Sequence, residues 1–166
     1  ARLLAHIAHM RQSAKWHFEL ALPAGAAEGT FVAPFVCEIG SIRELGGEVF
    51  GPVLHLLRFD RERLAELIDD INATGYGLTM GVHSRIDETI AEVGARTRAG
   101  NLYVNRNMIG AVVGVQPFGG EGLSGTGPKA GGPLYVARLC RAASLESAPR
   151  AGIPAGATRT APLAAF

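Results

Sequence analysis

The residues best suited to chemistry lie in one glycine-rich stretch, residues 101–133, NLYVNRNMIGAVVGVQPFGGEGLSGTGPKAGGP. It begins with an alternating apolar segment, and Phe118 follows a proline and precedes two glycines. Glycine at this density lets the backbone adopt positive φ and approach a ligand closely, at a cost in conformational entropy. The stretch therefore predicts a ligand-facing loop.

The same stretch contains the G-x-G-x-x-G spacing of a dinucleotide fingerprint, from Gly120 to Gly125. That fingerprint requires a strand before it and a helix after it, because the pyrophosphate lies at the helix N-terminus. Here Pro117 precedes the glycines and Pro128 follows them closely, so a helix cannot easily start. We predict a substrate-side loop that packs under an active site, with nucleotide binding by this run as the alternative.

A family resemblance rests on this stretch together with Gly100, Tyr76-Gly77-Leu78 and the segment EVFGPV at residues 48–53. Over residues 30–141 the sequence resembles the C-terminal part of an aldehyde dehydrogenase catalytic domain. More narrowly, it is similar to the L-glutamate γ-semialdehyde dehydrogenase module of bifunctional proline-catabolic flavoenzymes. The resemblance implies an α/β fold with a mostly parallel sheet and flanking helices.

The resemblance also implies an NAD-dependent reaction, with FAD in an attached proline dehydrogenase part and not in this chain. A thiolate adds to the aldehyde, hydride passes to the nicotinamide, and water hydrolyses the thioester with help from a glutamate base. In the family the cysteine and the base precede the matched residues, so we expect no catalytic residue in this chain. The chain alone is then inactive, and the remaining polypeptide or subunits of a homo-oligomer are its partners.

Two cofactor-binding residues follow from the resemblance. Glu48 corresponds to the glutamate that holds the nicotinamide ribose, and a carboxylate can accept from two vicinal hydroxyls. Phe50 corresponds to the aromatic that packs beside the nicotinamide ring. Without the resemblance, the segment would be interpreted as a turn with a surface glutamate and a core phenylalanine.

Three substrate-binding residues follow in the same way. Gly110 and Ala111 correspond to a loop that anchors the amino-acid end of the aldehyde, where backbone N–H groups form a nest for its carboxylate. Phe118 is placed against the aliphatic chain of the substrate, or as a core plug under the loop. A non-catalytic module of the same fold, which binds an amino-acid ligand or has a structural role, remains the alternative function.

Composition agrees with part of a globular enzyme. The chain has 166 residues, 48% of them hydrophobic, with 16 Lys and Arg against 15 Asp and Glu. Nearly balanced charge does not favour nucleic acid or an anionic membrane, and no apolar run reaches the roughly 18 residues of a membrane span. We expect a cytoplasmic protein with a catalytic-domain part over 1–141 and an Ala/Pro/Gly-rich tail over 142–166.

The cysteines and histidines give no metal site by their spacing. Cys37 and Cys140 are far apart, and each is predicted to be a reduced thiol in the core rather than a nucleophile. His6 and His9 are assigned to a solvated helical face, with a shared metal as the weaker alternative. We assign His55 and His83 to packing or hydrogen bonding inside strands.

Hydrophobic periodicity predicts alternating strands and helices, with parallel pairing through right-handed crossovers. Helices are expected over 2–22, over 61–72 with Asp60 as its cap, and over 87–97. Strands are expected over 31–39, 53–59, 78–83 and 101–104.

Overall fold

A computed structural model describes residues 1–109, 111–112, 114–125 and 127–139. Its N-terminal part consists of helix α1 (Arg2–Ser13) and a sheet of three strands in the order β1 (Trp16–Glu19), β2 (Phe35–Glu38) and β3 (Val53–Leu56). β2 runs parallel to β3, whereas β1 is antiparallel to β2. β1 lies at one edge of this sheet and is the element that follows α1 in the sequence.

The core of this part lies between α1 and the sheet. Ile7 and Met10 are three residues apart and therefore share one face of α1, and both are buried. They contact the inward side chains of β2 and the residue after it. The buried cluster comprises Ile7, Met10, Phe35, Cys37 and Ile39.

The first helix is shorter than predicted. It ends at Ser13 because Ala14 has extended backbone angles, φ −68° and ψ 150°, and Lys15 N–H donates to the Glu38 carbonyl at 2.9 Å. The predicted second half of the helix is β1, where two aromatic side chains favour a strand. Tertiary pairing with β2 thus outweighs the apolar spacing that favoured a helix through residue 22.

One polar group is buried with this sheet. Glu38 is only 6% exposed, and its carboxylate accepts a hydrogen bond from the Trp16 indole and lies 3.3 Å from the Arg58 guanidinium. Burying a carboxylate is costly unless it is paired and hydrogen-bonded. Trp16 and Arg58 provide these partners, so Glu38 joins the edge strand to the chain that follows β3.

The second part of the fold comprises α2 (Leu64–Ala73), β4 (Tyr76–Gly77), β5 (Thr79–Val82), α3 (Asp87–Arg96) and β6 (Asn101–Val104). β5 and β6 are parallel, with α3 as the connection between them, and α2 packs against α3. The buried hydrophobic residues here are Ile68, Val93 and Tyr103. This is the predicted strand–helix–strand order.

Two details of this part differ from the prediction. Asp60 occupies the N-cap position of a 3-10 turn, Arg61–Arg63, that precedes α2, but its side chain makes no capping hydrogen bond. Tyr76–Gly77, which lies outside the strand predicted over 78–83, forms the short strand β4 and pairs antiparallel with β7 (Glu121–Gly122). A further short helix, α4, covers Tyr135–Leu139.

The strands of the described part form three small sheets rather than one. The pairs β2–β3 and β5–β6 are parallel as predicted, and β1–β2 and β4–β7 are antiparallel. The tail over 142–166 and Cys140 lie outside the described residues. No helix in the described ranges is both long enough and apolar enough to cross a membrane.

Candidate functional site

The segment that carries Glu48 leaves the sheet region through a glycine turn. A 3-10 helix, Ile42–Leu45, ends at Gly46, whose left-handed backbone, φ 62°, is one that residues with a Cβ adopt at a steric cost. Glu48 follows two residues later with an exposed side chain. The turn therefore presents the carboxylate to solvent.

Glu48 lies on the wall of an open cleft of about 780 Å³. The cleft is lined by residues 42–43 and 45–49, by the C-terminal end of α2, by β4 and by Arg98. Its polar groups include the side chains of Asp70 and Thr74 and the Glu48 carboxylate. A cleft of this size can admit part of a nucleotide-sized ligand.

Phe50 is 90% exposed, so the interpretation of this residue as a core phenylalanine is wrong. The next residue, Gly51, packs against the side chain of Leu3, and a Cβ at that position would overlap the leucine. The backbone is thus seated on α1 while the aromatic ring points away from the core. An exposed ring beside an exposed carboxylate can contact a ligand.

The substrate-side residues lie in another part of the molecule, beyond β6. Phe118 is half-buried, and it exchanges two backbone hydrogen bonds with Ala130, Phe118 N–H to Ala130 O at 3.0 Å and Ala130 N–H to Phe118 O at 2.9 Å. Ala111 is half-buried, and Gly110 lies outside the described residues. Of the five predicted binding residues, only Glu48 lines the cleft in the described part of the chain.

The loop around Phe118 is fixed by contacts that the sequence pattern does not indicate. The Asn101 amide donates to the Pro117 carbonyl at 3.0 Å and accepts from the Gly119 N–H at 3.4 Å. Gly100 lies against the Gly119 carbonyl so closely that a Cβ there would overlap it. Lys129 also donates from its ammonium group to the Gly100 carbonyl. Together these contacts attach the loop to the start of β6.

The glycine run at 120–125 does not have the surroundings of a dinucleotide fingerprint. Glu121–Gly122 is the strand β7, and a turn follows it. The Ser124 hydroxyl accepts a hydrogen bond from the Gly77 N–H at 3.0 Å, which ties the turn to β4. No helix begins there in the described residues, so the geometry that a dinucleotide fingerprint requires is not present in them, and the turn packs against β4 instead.

Two histidines form a pair that their separation in the sequence conceals. His6 of α1 and His55 of β3 are hydrogen-bonded between their Nε2 atoms at 2.8 Å, with ring centroids 5.0 Å apart. Burial lowers the pKa of both imidazoles, and His9 lowers that of His6 further while His6 lowers that of His55. Assignment of His6 to a solvated face is therefore wrong, whereas hydrogen bonding of His55 is confirmed.

The remaining candidates have simple environments. His83 follows β5 and is exposed, so the predicted place inside a strand is wrong. Cys37 is fully buried in β2, and burial, then Glu44, raises the pKa of its thiol. A buried neutral thiol is a poor nucleophile, which confirms the assignment to the core. No group of three or more potential metal ligands occurs among the described residues.

The sequence profile of the aldehyde dehydrogenase family matches residues 2–144. The chain belongs to that family. It is 60% identical over 134 residues to the bifunctional protein PutA of Rhizobium meliloti, covering 81% of this chain and 11% of that protein. The chain thus spans about a ninth of the length of this relative. The match to the family profile includes α1, whereas the resemblance in the sequence covers residues 30–141.

Solved structures of family members have the same fold. A crystal structure of a proline utilization A (PutA) mutant from Bradyrhizobium japonicum is 58% identical, with a TM-score of 0.77, over 83% of this chain and 14% of that chain. The 1-pyrroline-5-carboxylate dehydrogenase from Thermus with bound NAD is 37% identical, with a TM-score of 0.66, over 79% of this chain and 25% of that chain. The predicted fold class and family are confirmed.

Proposed function

We propose that this chain is part of an NAD-dependent L-glutamate γ-semialdehyde dehydrogenase, which oxidises the aldehyde to L-glutamate in proline catabolism. The observation that carries the proposal is the pair of exposed side chains, Glu48 at the cleft and Phe50 two residues later, in a chain so similar to PutA. The NAD-bound Thermus relative supports the choice of cofactor.

The residues present fit the nicotinamide end of NAD. The Glu48 carboxylate is exposed on a cleft wall and would accept hydrogen bonds from the two ribose hydroxyls. Phe50, 90% exposed, would pack beside the nicotinamide ring and limit the faces available for hydride transfer. When bound, NAD supplies the hydride acceptor.

The substrate side would be formed by Gly110, Ala111 and Phe118. Backbone N–H groups at Gly110 and Ala111 would hold the α-carboxylate, and the ring of Phe118 would pack on the aliphatic chain of the aldehyde. The small Ala111 side chain leaves space for the carboxylate. These three residues bind and orient the substrate.

The nucleophile and the general base would be supplied by other residues of the complete enzyme. Cys37 does not fit the first role because it is buried and its thiol pKa is raised. FAD would belong to the proline dehydrogenase part of the parent polypeptide. We also propose that the complete enzyme is a cytoplasmic homo-oligomer.

The cofactor assignment is tested by Glu48→Gln in the complete enzyme. Glutamine keeps the shape but removes the charged acceptor, and hydrogen bonds to a charged group contribute about 1.5–3 kcal/mol. We expect a higher KM for NAD or a slower hydride step, with the KM for the aldehyde unchanged. Steady-state kinetics with varied NAD and single-turnover NADH formation measure these quantities.

A matched control is Glu62→Gln, which changes an exposed glutamate of the 3-10 turn Arg61–Arg63. We expect that variant to retain the cofactor kinetics of the wild type. Wild-type dependence on NAD in Glu48→Gln would contradict the ribose assignment.

A further inference from the structure

We infer that Asn101 is a positioning residue that sets the place of Phe118 in the substrate site. The inference rests on the proposed contact of Phe118 with the substrate. The Asn101 amide donates to the carbonyl of Pro117, the residue before Phe118, at 3.0 Å. It accepts from the N–H of Gly119, the residue after Phe118, at 3.4 Å. The backbone N–H and C=O of Phe118 itself are bonded to Ala130. Both peptide units that flank the ring are therefore held at both ends.

The sequence around Phe118 makes such external contacts necessary. Two glycines follow the ring, and glycine has more backbone freedom to lose on ordering than any other residue. The peptide between Phe118 and Gly119 has no regular sheet beside it, because the bridge to Ala130 is isolated. Without the Asn101 amide, the carbonyl of Pro117 and the N–H of Gly119 would lose their protein partner, and the ring would no longer have one fixed position.

A second side chain of the same strand holds the residue before the proline. The Gln116 amide donates to the Tyr103 hydroxyl at 2.8 Å, and Tyr103 is buried. Asn101 and Tyr103 are two residues apart on β6 and therefore point to the same face. Two side chains on one face of β6 thus hold the segment 116–119 through hydrogen bonds. A site on a regular element is positioned more precisely than one on a free loop.

The fold contains a second asparagine with the same bonding pattern. Asn72 donates to the Arg96 carbonyl at 2.8 Å and accepts from the Arg98 N–H at 2.9 Å, so its amide spans Thr97. This amide joins α2 to the end of α3, and Asn72 lines the cleft on the proposed cofactor side. Its loss removes an equivalent pair of bonds without touching the ring, so Asn72 is a matched control for the KM of the aldehyde and not for that of NAD.

The test is a double-mutant cycle in the complete enzyme, with Asn101→Ala and Phe118→Ala singly and together. Asn101→Ala should raise the KM for L-glutamate γ-semialdehyde about tenfold, which lies within the range expected for the loss of two neutral hydrogen bonds, and leave the KM for NAD unchanged. In the Phe118→Ala background the same change should have less than about a twofold effect, because the ring that it positions is gone. A purely structural role would be additive.

Asn101→Asp serves as the second variant, since it keeps the size and the acceptor for Gly119 N–H but loses the donor to Pro117 O. It should show the same non-additivity with Phe118→Ala. Asn72→Ala should leave the KM for the aldehyde unchanged in either background. If Asn101→Ala and Asn101→Asp each raise the KM for the aldehyde as much in the Phe118→Ala background as in the wild type, the positioning role is overturned and the proposed function is not. If Phe118→Ala itself leaves KM unchanged, the proposed substrate contact fails, and the inference fails with it.

Discussion

At Ala111 the proposed selectivity depends on one small side chain. The residue is half-buried, and a β-branched replacement would occupy the space of the substrate carboxylate and rotate the N–H groups away from it. A site built around an anion discriminates strongly against a ligand that cannot reach its donors. Ala111→Val in the complete enzyme should therefore lower kcat/KM with glutamate γ-semialdehyde about tenfold or more, and much less with a simple aliphatic aldehyde.

The comparison of two aldehydes on one variant separates binding from folding, because misfolding lowers both values equally. Ala111→Ser is the control, since it adds a hydroxyl without a branch at Cβ. Equal losses with both aldehydes, or no loss with either, would make the loop a packing element.

Single residues were predictable where their chemistry is set by neighbours in the sequence. Cys37 lies among apolar and β-branched residues, and its burial follows from that context. Exposure of Glu48 follows from its turn. Phe50 also needed the family resemblance, because hydrophobicity alone places a phenylalanine in the core, whereas its ring is 90% exposed.

At the scale of elements, α1 and β3 are joined through the His6–His55 pair. A histidine in the unfolded chain has a pKa of about 6.5, whereas the pKa values of His6 and His55 are lower in the folded state. At pH values between these limits the unfolded chain therefore binds more protons than the folded chain. Stability is therefore fully present above about pH 6.5 and decreases as the pH falls through this window. In addition, two protonated rings cannot share the Nε2 hydrogen bond.

We therefore expect the free energy of local opening of α1 to decrease on acidification from pH 7 to about pH 5.5. The measurement is native-state hydrogen exchange of the α1 amides, corrected for the intrinsic exchange rate at each pH. His55→Gln should weaken this dependence, and His83→Gln, at an exposed histidine, should retain it. Acid-independent opening in the wild type would contradict the role of the pair.

Elements with a complete local pattern were predicted closely. α3 and β6 lie within a residue of their expected bounds, because their apolar spacing agrees with their packing. The helix expected over 2–22 failed at Ala14, since only pairing with β2, about twenty residues later, makes a strand of residues 16–19. The hydrogen bonds of the Asn72 and Asn101 amides were not predicted, for a similar reason: each amide bonds to backbone atoms that are remote in the sequence.

At the scale of the whole molecule, the proposal gives this chain binding groups, while the one cysteine among its described residues is unsuited to act as the nucleophile. Cys37 is buried, and its raised thiol pKa disfavours the thiolate. The 166-residue chain, purified alone, should therefore produce no NADH from glutamate γ-semialdehyde. Absorbance of NADH over hours, at enzyme concentrations well above those used for a complete enzyme, is the measurement.

The matched variant is Cys37→Ala. Activity of the isolated chain that disappears in Cys37→Ala would contradict the proposal that the nucleophile comes from elsewhere. Since a buried thiol behaves as a small hydrophobic group, we expect this substitution in the complete enzyme to change stability by about 1 kcal/mol and to leave turnover intact.

The fold class was predictable as a whole, but the division of its strands was not. Strand and helix order predicted parallel pairing for β2–β3 and β5–β6. β4 and β7 pair although each is only two residues long and they lie more than forty positions apart in the sequence. Segments so short carry no periodicity, so a sequence gives no sign of them.

The indole of Trp16 gives the molecule an internal optical reporter. It is the single tryptophan of the chain, it is 39% exposed, and its N–H donates to the buried Glu38 carboxylate. Tryptophan emission from this chain will therefore follow the attachment of the edge strand β1 to β2. Release of β1 exposes the indole fully to water and shifts the emission to the red.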